Sequence, residues 1–464
     1  MGPATGFSDA KRTLLEKYLR GGAVPASVIP ARARSAPAPL LPSQAQLYVR
    51  ELRLGGIPPL YNECIAVRMQ GAIDSTKLER AFNQIIQRHE IWRTTFEAGL
   101  GQPVQVIHEC MPVHFVHSDV AGLAEDMRAT EALRIVAETA RQPFQLDKGP
   151  LLRPILVRLR DSEHWLYVIA HQIILDGMSA YQIFPTELAA IYRSLCTGET
   201  VNLPELPIQY GDFAVWQRES LTASRQRQVT YWRRQLEGLP RSTWPRSKSA
   251  GAAPSFIGRI RPFTFTRELS EAVRALAQRS GTTLFVALLA GFAKVLHGYT
   301  KNESIVIGTP SPSGRKHSEV TPLLGYFLNP VALRLEFAGQ PHFAELLAQA
   351  RIVLADALSH DDVPIEELAR ELRAQDDGSL SPLFTAAMSL QPQTPDLGMP
   401  WTVTSMDVES GGSPWKLYLA FINMPDKIIG RAQFDPNLFS EEEVGRLLHD
   451  LEIVLQDACR ELQA

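Results

Sequence analysis

The chain has 464 residues, of which 45% are hydrophobic and 21% are charged, and its formal net charge is −3 at pH 7. Its length is about three times that of a usual single domain, so we expect at least two lobes. The composition is typical of a globular enzyme. A net charge this close to zero gives no reason to expect nucleic acid or an anionic membrane as a partner.

The cysteines give no sign of a ligand site. They are scattered without the spacing of a metal site and are typical of reduced thiols: Cys64, Cys110, Cys196 and Cys459. The N-terminus has no apolar signal-peptide core, and no apolar run approaches the ~18 residues that a membrane span requires. We therefore expect a cytoplasmic protein with no bound metal and no membrane partner.

The first 40 residues are expected to stand apart from the body. Residues 7–21 predict a short helix, and residues 22–42 are rich in Pro, Ala and Arg, which is typical of a linker. Two interpretations of the helix stay open, an inert interdomain segment and a docking element. We expect three segments: helix and linker at 1–40, an N-terminal lobe at 41–218 and a C-terminal lobe at 219–464.

Both lobes are predicted to mix sheet with helices of similar scale, which gives a mixed α/β class. The predicted elements of the N-terminal lobe are strands at 65–69 and around 115–116, a hairpin of 152–158 with 164–174, and helices at 74–88, 123–140 and 179–195. The predicted elements that follow are a polar helix at 221–239, a Pro- and Ser-rich crossing at 238–255, strands at 260–266, 303–308, 331–337, 383–390, 416–421 and 428–434, and helices at 268–280, 284–299, 343–359 and 440–462.

The most informative segment is His171-Gln-Ile-Ile-Leu-Asp176-Gly177, between a predicted strand and a predicted helix. Polar groups at such a junction can face a cleft while the strand and the helix hold them rigid. Strand alternation places the side chains of His171 and Gln172 on opposite faces. On these residues alone, a core histidine bonded to a nearby carboxylate is the favoured interpretation, since buried polar groups must be paired.

Seven segments resemble, in the same order, the sequence blocks of a nonribosomal peptide synthetase condensation domain. They are LPSQAQLY at 41–48, RHEIWRTTF at 88–96, HQIILDG at 171–177, YGDFAVW at 210–216, IGTPSPSGR at 307–315, GYFLN at 325–329 and HDDVPIE at 360–366. Tyr61-Asn-Glu63 and Trp92 resemble the subgroup found downstream of polyketide synthase modules. The resemblance runs from residue 41 to the last predicted helix.

The resemblance implies two chloramphenicol-acetyltransferase-like lobes that form a V around a central tunnel. It implies that an acyl group, held as a thioester on the phosphopantetheine of a donor carrier protein, is transferred to the amine on an acceptor carrier protein. The implied partners are these carriers and adjacent synthetase domains, and no intrinsic cofactor is expected. Such aminolysis needs aligned reactants, a deprotonated amine and a stabilised oxyanion.

The motif departs from the family pattern at Gln172, where the family has the second histidine, usually given the role of base or amine-positioning group. A glutamine amide forms hydrogen bonds but accepts no proton near neutrality. Three interpretations stay open. Gln172 is an engineered change in an intact site, or it is natural in a domain that only binds carriers, or positioning alone supports turnover.

The resemblance also implies roles for other residues. The predicted catalytic set is His171, Gln172, Asp176 and Gly177, in which His171 is structural and Gly177 gives backbone room near the thioester. Asp176 and Arg315 are expected to form a structural ion pair, and Arg88, Glu90 and Arg93 a scaffold network. The predicted tunnel residues are Ser179, Ala180, Ser311, Asn329 and Trp415. For Ser179 a helix N-cap, for Ala180 an ordinary helix face, and for Trp415 a core position stay open as alternatives.

Three functions are therefore compared. The first is an amide-forming acyltransferase that acts on carrier-bound substrates. The second is a non-catalytic module that binds carriers or recruits another enzyme. The third is a free-standing acyl-CoA transferase, against which the leading helix and the Pro- and Ala-rich linker argue.

Overall fold

The computed structural model describes residues 29–33, 37–53, 59–99, 101–238, 256–372, 383–405, 408 and 410–462. The predicted helix at 7–21 and the predicted crossing after residue 238 lie outside this part of the chain. The strands are β1 Ala38–Pro39, β2 Asn62–Gln70, β3 Thr94–Ala98, β4 Pro103–Ile107, β5 Val116–Asp119, β6 Leu152–Arg160, β7 Glu163–His171, β8 Arg259–Thr264, β9 Ser304–Ser311, β10 Asn329–Glu336, β11 Ala386–Gln391, β12 Trp401–Ser405, β13 Leu417–Asn423 and β14 Ile428–Phe434.

The α-helices alternate with these strands, so the predicted mixed α/β class is confirmed. In chain order they are α1 Pro42–Arg53, α2 Ser75–Arg88, α3 Glu125–Ala140, α4 Phe184–Thr197, α5 Tyr210–Gln235, α6 Arg267–Arg279, α7 Leu284–Thr300, α8 Phe343–Leu358, α9 Ile365–Glu371 and α10 Glu441–Glu461. Side-chain caps fix several helix starts. Asp74 accepts a hydrogen bond from the Lys77 N–H at 3.0 Å, and Ser440 and Glu443 form the predicted capping box.

Strand β7 lies at the centre of a five-stranded sheet ordered β12-β2-β7-β6-β5. The predicted hairpin is confirmed, since β6 and β7 pair antiparallel from Leu152 opposite Ala170 onward. Helix α3 packs against β2, β6 and β7, and β7 is buried along most of its length. The edge strand β12 comes from the C-terminal half of the chain and pairs antiparallel with β2. The two halves are therefore joined through a shared sheet.

The second large sheet has six strands in the order β10-β9-β11-β13-β14-β8. Strand β11 runs parallel to β9 and β13, whereas the other neighbours are antiparallel. Helix α7 is largely buried and packs against α6, α8 and α10. Gly291 of α7 permits the close approach of α10, because an added Cβ would lie 2.7 Å from Leu455 Cδ2.

The segment predicted as a linker is packed against the body where the structure describes it. Ile29 is buried, and β1 pairs with β4. The guanidinium of Arg32 donates to both carboxylate oxygens of Glu90, at 3.1 and 3.2 Å, and to Asp212 at 2.9 Å. Residues 29–33 and 37–42 thus form a strap that is held by a buried charge network.

Helix α5 differs from its prediction. The 210–216 block and the predicted helix at 221–239 form one helix, Tyr210–Gln235, because Gln209 and Asp212 make a capping box at its start. The predicted helix start at 221 is therefore wrong. The expected lobe boundary between 218 and 219 falls inside this helix, and the buried residues of α5 divide between two hydrophobic cores.

In the part of the chain described above, no single helix is long and apolar enough to cross a membrane. Helices α6 and α7 are long and apolar enough only when taken together, and they are bent by 107° relative to each other.

Gly308, in the middle of β9, tests the packing of the second sheet. An added Cβ would overlap the ring of Phe384, so Gly308→Ala is expected to lower the free energy of unfolding by about 1–3 kcal/mol through overpacking. The matched control is Gly298→Ala in α7, where nothing lies within 4 Å of an added Cβ, and which is expected to stabilise by about 0.5–1 kcal/mol. Urea denaturation measures both, and equal stability of the two variants would contradict this packing.

Candidate active site

A cavity of about 310 Å³ lies between the two large sheets, beside the end of β7. Its walls combine apolar side chains with many polar and charged ones, and convergent polar groups in a cavity are typical of a ligand site. Both halves of the chain contribute to the wall, with Glu63, Gln172 and Ala180 from the first half and Trp415, Tyr418 and Arg431 from the second.

The two residues at the end of β7 have different surroundings. His171 is fully buried. Its Nδ1 accepts a hydrogen bond from the Ile173 N–H at 3.1 Å, and its ring meets Tyr61 and Phe144 edge to face. Gln172 instead lines the cavity. His171 is therefore held in the core, and Gln172 is the one of the two that can meet a ligand.

Asp176 and Arg315 form a buried bidentate ion pair. Arg315 Nε donates to Asp176 Oδ2 and Nη2 donates to Oδ1, both at 2.8 Å. The Asp176 side chain has no exposed surface, and that of Arg315 is 5% exposed. The carboxylate also accepts the backbone N–H groups of Ser179 at 2.8 Å and Phe327 at 3.3 Å. Because arginine stays charged and the carboxylate is fully bonded, Asp176 is a structural group and not a base.

The same pair ties the motif to the loop before β10. Arg315 Nη1 donates to the carbonyls of Val320 and Leu323 at 3.4 and 3.1 Å. The Ser179 hydroxyl accepts from Arg315 Nη2 at 2.9 Å and from the Gly325 N–H at 3.0 Å, and it donates to the Gly325 carbonyl at 3.1 Å. The structure thus places Ser179 inside this anchor and not on the cavity wall. Its hydroxyl bridges two segments, while Asp176 bonds the Ser179 N–H.

The structure places Gly177, Ala180 and Trp415 on the cavity wall. A Cβ on Gly177 would lie 2.7 Å from Gln391 Oε1, so glycine keeps the space between the motif and β11 open. Ala180 is 5% exposed. Trp415 stacks on Phe384 with ring centroids 5.6 Å apart, and it is held by the Ser413 hydroxyl, which donates to its carbonyl.

Ser311 and Asn329 lie around the buried carboxylate of Asp361 and do not line the cavity. The Ser311 hydroxyl donates to Asp361 Oδ2, and Asn329 Nδ2 donates to the carbonyls of Asp361 and Val363 at 2.7 and 2.8 Å. Burial raises the pKa of Asp361, and the ammonium of Lys316 opposes this shift. Ser311 and Lys316 therefore pair the buried carboxylate, because an unpaired charge there would be costly. Asn329 instead holds the backbone on either side of residue 362.

The residues around Arg88 support the fold. Arg88 Nε donates to Glu187 Oε1 at 3.0 Å, and His89 Nε2 lies 2.9 Å from Glu187 Oε2. Glu90 accepts from the Gly211 N–H at 2.8 Å as well as from Arg32 of the strap. The guanidinium of Arg93 donates to the His108 carbonyl. All of these contacts lie within the scaffold, away from the cavity wall.

Sequence reasoning did not single out Glu63, Tyr418 or Arg431 as site residues. Tyr418 bonds Ser389 through their hydroxyls, which lie 2.6 Å apart, and Arg431 Nη2 lies 3.6 Å from Glu63 Oε2. The available signal was weak, a charged residue inside an otherwise apolar strand. These residues add a carboxylate, a hydroxyl and a guanidinium group to the cavity wall.

The Cys64 thiol on the cavity wall is not reactive near neutrality. Burial raises the pKa of the Cys64 thiol to about 12, so it is not a thiolate nucleophile near neutrality. Among the residues that the structure describes, no group of three or more His, Cys, Asp or Glu side chains is placed to hold a metal ion.

Comparison with known proteins assigns the family. A family model described as Condensation domain matches residues 35–464. The chain belongs to the condensation-domain family. The predicted family is thereby confirmed, whereas the subgroup downstream of polyketide synthase modules stays a prediction. Members of this family form amide bonds.

The curated relatives of this condensation domain are much longer synthetases. It is 37% identical to one of the linear gramicidin synthase proteins of Brevibacillus parabrevis over 83% of this chain and 5% of the relative. It is 35% identical to phosphinothricin tripeptide synthetase PhsC of Streptomyces viridochromogenes over 83% of this chain and 36% of the relative. The chain therefore spans only a small part of the curated relatives that it matches.

Solved structures confirm the predicted two-lobe, chloramphenicol-acetyltransferase-like fold. The X-domain from teicoplanin biosynthesis has a TM-score of 0.78 and 25% sequence identity, covering 93% of this chain and 97% of the other. The first condensation domain of the calcium-dependent antibiotic synthetase has a TM-score of 0.79 and 20% identity, covering 91% of this chain and 97% of the other.

Arg315→Ala tests the anchor of this condensation domain. Removal of the guanidinium leaves the Asp176 carboxylate charged and buried, so we expect a loss of about 3–5 kcal/mol in the free energy of unfolding. The matched control is Arg134→Ala, which breaks ion pairs with Glu131 and Glu138 on the surface and should change stability little. Chemical denaturation measures both variants. A similar effect of both would show that the Asp176–Arg315 pair does not anchor the motif.

Proposed function

We propose that this chain forms an amide between a carrier-bound acyl thioester and the amine of a carrier-bound amino acid. The observation that carries this proposal is the cavity wall formed by Gln172, Gly177 and Ala180, opposite residues of the C-terminal half. A cavity bounded by both halves can hold two reactants against each other. Such alignment lowers the barrier by converting an encounter of two reactants into a step within one complex.

In this reaction the amine nitrogen attacks the thioester carbonyl, so a C–N bond forms and the C–S bond breaks to release the phosphopantetheine thiol. The Asp176–Arg315 pair holds the motif at a fixed distance from the 320–327 loop. Gly177 leaves room for the thioester, and its backbone N–H is our candidate donor to the developing oxyanion. Gln172 orients reactants through its amide.

Restoration of a histidine tests this proposal. Gln172→His introduces a side chain that accepts protons near neutrality, and a general base typically contributes ~10²–10⁴-fold. We therefore expect single-turnover amide formation between loaded carriers to rise by at least about tenfold, as measured by the intact mass of the acceptor carrier. Gln172→Asn keeps an amide and should give no increase.

A second candidate function is a module that binds carriers or recruits another enzyme without chemistry. Gln172 favours it, since the chain lacks the usual histidine at the cavity. One structural neighbour, an X-domain, has been solved in complex with OxyB from teicoplanin biosynthesis. This function requires carrier binding with no product from either Gln172 or Gln172→His, and that result would exclude the amide-forming function.

A free-standing acyl-CoA transferase would use a soluble thioester. The same acyl group is therefore offered to the chain on coenzyme A and on a carrier protein, at equal concentration. We expect amide formation with the carrier-bound donor to be the faster of the two. Equal or faster use of the coenzyme A thioester would contradict a carrier-dependent reaction.

A further inference from the structure

The described part of the cavity wall keeps a carboxylate side chain although it has no histidine. Among the described residues of its wall, the carboxylates are Glu63 and Asp176, and no histidine is present. Asp176 is fully bonded to Arg315 and to backbone N–H groups. The Cys64 thiol has its pKa raised to about 12 by burial. Glu63 is thus the carboxylate on the described wall that remains open to a substrate.

Glu63 lies close to Gln172 in the sheet. In the β2–β7 ladder, Asn62 is opposite His171 and Glu63 is opposite Ala170. The pairing continues by one residue, because the Gln172 N–H donates to the Tyr61 carbonyl at 2.7 Å. Glu63 of β2 and Gln172, the first residue after β7, are therefore diagonal neighbours, a relation that brings long side chains within reach of each other, and both line the cavity.

The surroundings of Glu63 hold its carboxylate at the cavity without enclosing it. Its Oε2 lies 3.6 Å from Arg431 Nη2 of β14, and 39% of the Glu63 side chain remains exposed. Glu63 also acts electrostatically on the hydroxyls of Tyr326 and Tyr418, whose pKa values are raised chiefly by burial. The side chain is thus accessible from the cavity that it lines, where its carboxylate can receive the ammonium group of an acceptor.

We propose that Glu63 binds the acceptor ammonium and takes its proton, in the place of the histidine that the family carries at position 172. This proposal rests on the amide-forming function proposed above. The ammonium gives one proton to the Glu63 carboxylate, and the free amine attacks the thioester carbonyl. The second nitrogen proton passes to the departing thiolate as the C–S bond breaks, and Glu63 returns its proton to solvent. Glu63 acts as the base, and Gln172 bonds the amine.

Glu63→Gln tests the role of this carboxylate at nearly constant shape. We expect single-turnover amide formation to fall by about 10²–10⁴-fold, with donor and acceptor carriers still bound. The matched control is Glu138→Gln on the exposed face of α3, which should leave the rate unchanged. An unchanged rate in Glu63→Gln would overturn the proposal.

The double variant Glu63→Gln with Gln172→His separates a base from a structural role. A new histidine supplies a second proton acceptor, so the double variant should recover most of the rate lost in Glu63→Gln, whereas a structural defect would persist.

The two proposals fail in different ways. Product from Gln172→His but none from the wild-type chain would overturn the role of Glu63 and leave the amide-forming function standing. No product from either chain would overturn the amide-forming function and, with it, the role of Glu63.

Discussion

The arrangement of the cavity depends on the ion pair between Asp176 and Arg315. Asp176 lies five residues past the end of β7, after a 3₁₀ turn at Gln172–Ile174, and Arg315 follows β9, so this contact joins the two large sheets. The cost of burying both charges is offset because every polar atom of the pair has a partner at good distance. The pair therefore fixes where the motif ends, and with it the directions of Gln172 and Gly177.

The strand crossing from the C-terminal half supports this arrangement. Strand β12 completes the first sheet beside β2, so the strand that carries Glu63 has neighbours on both edges. The loop that follows Arg315 packs into the first core through Val320, Leu323 and Phe327. Both connections limit the separation of the halves and so hold the cavity between them in shape.

Periodicity in the sequence predicted most elements, because strands and helices of this chain bury strongly apolar faces. Strand alternation predicted different surroundings for His171 and Gln172. The structure buries His171 and places Gln172, one residue past the end of β7, on the cavity wall. Hydrogen-bond partners that are distant in the sequence could not be predicted in this way. Ser311 and Asn329 were placed in the tunnel by the order of the blocks, and only the fold shows that Asp361, far along the chain, takes their hydrogen bonds.

The position of Glu63 in the cavity also could not be predicted from the sequence. In the sequence it is one carboxylate near the start of a strand, and charged residues there are commonly exposed to solvent. Its proposed role depends on two features of the fold. Arg431 of β14 lies beside it, and the described cavity wall has no histidine. Neither relation is visible in residues that lie so far apart along the chain.

Transfer by the unmodified chain tests the central claim most directly. A donor carrier loaded with an acyl thioester and an acceptor carrier loaded with an amino acid are mixed with the chain, and the intact masses of both carriers are followed. Amide formation predicts that the acceptor carrier gains the mass of the acyl group while the donor carrier returns to its free thiol. Binding of both carriers with no change in either mass would contradict it.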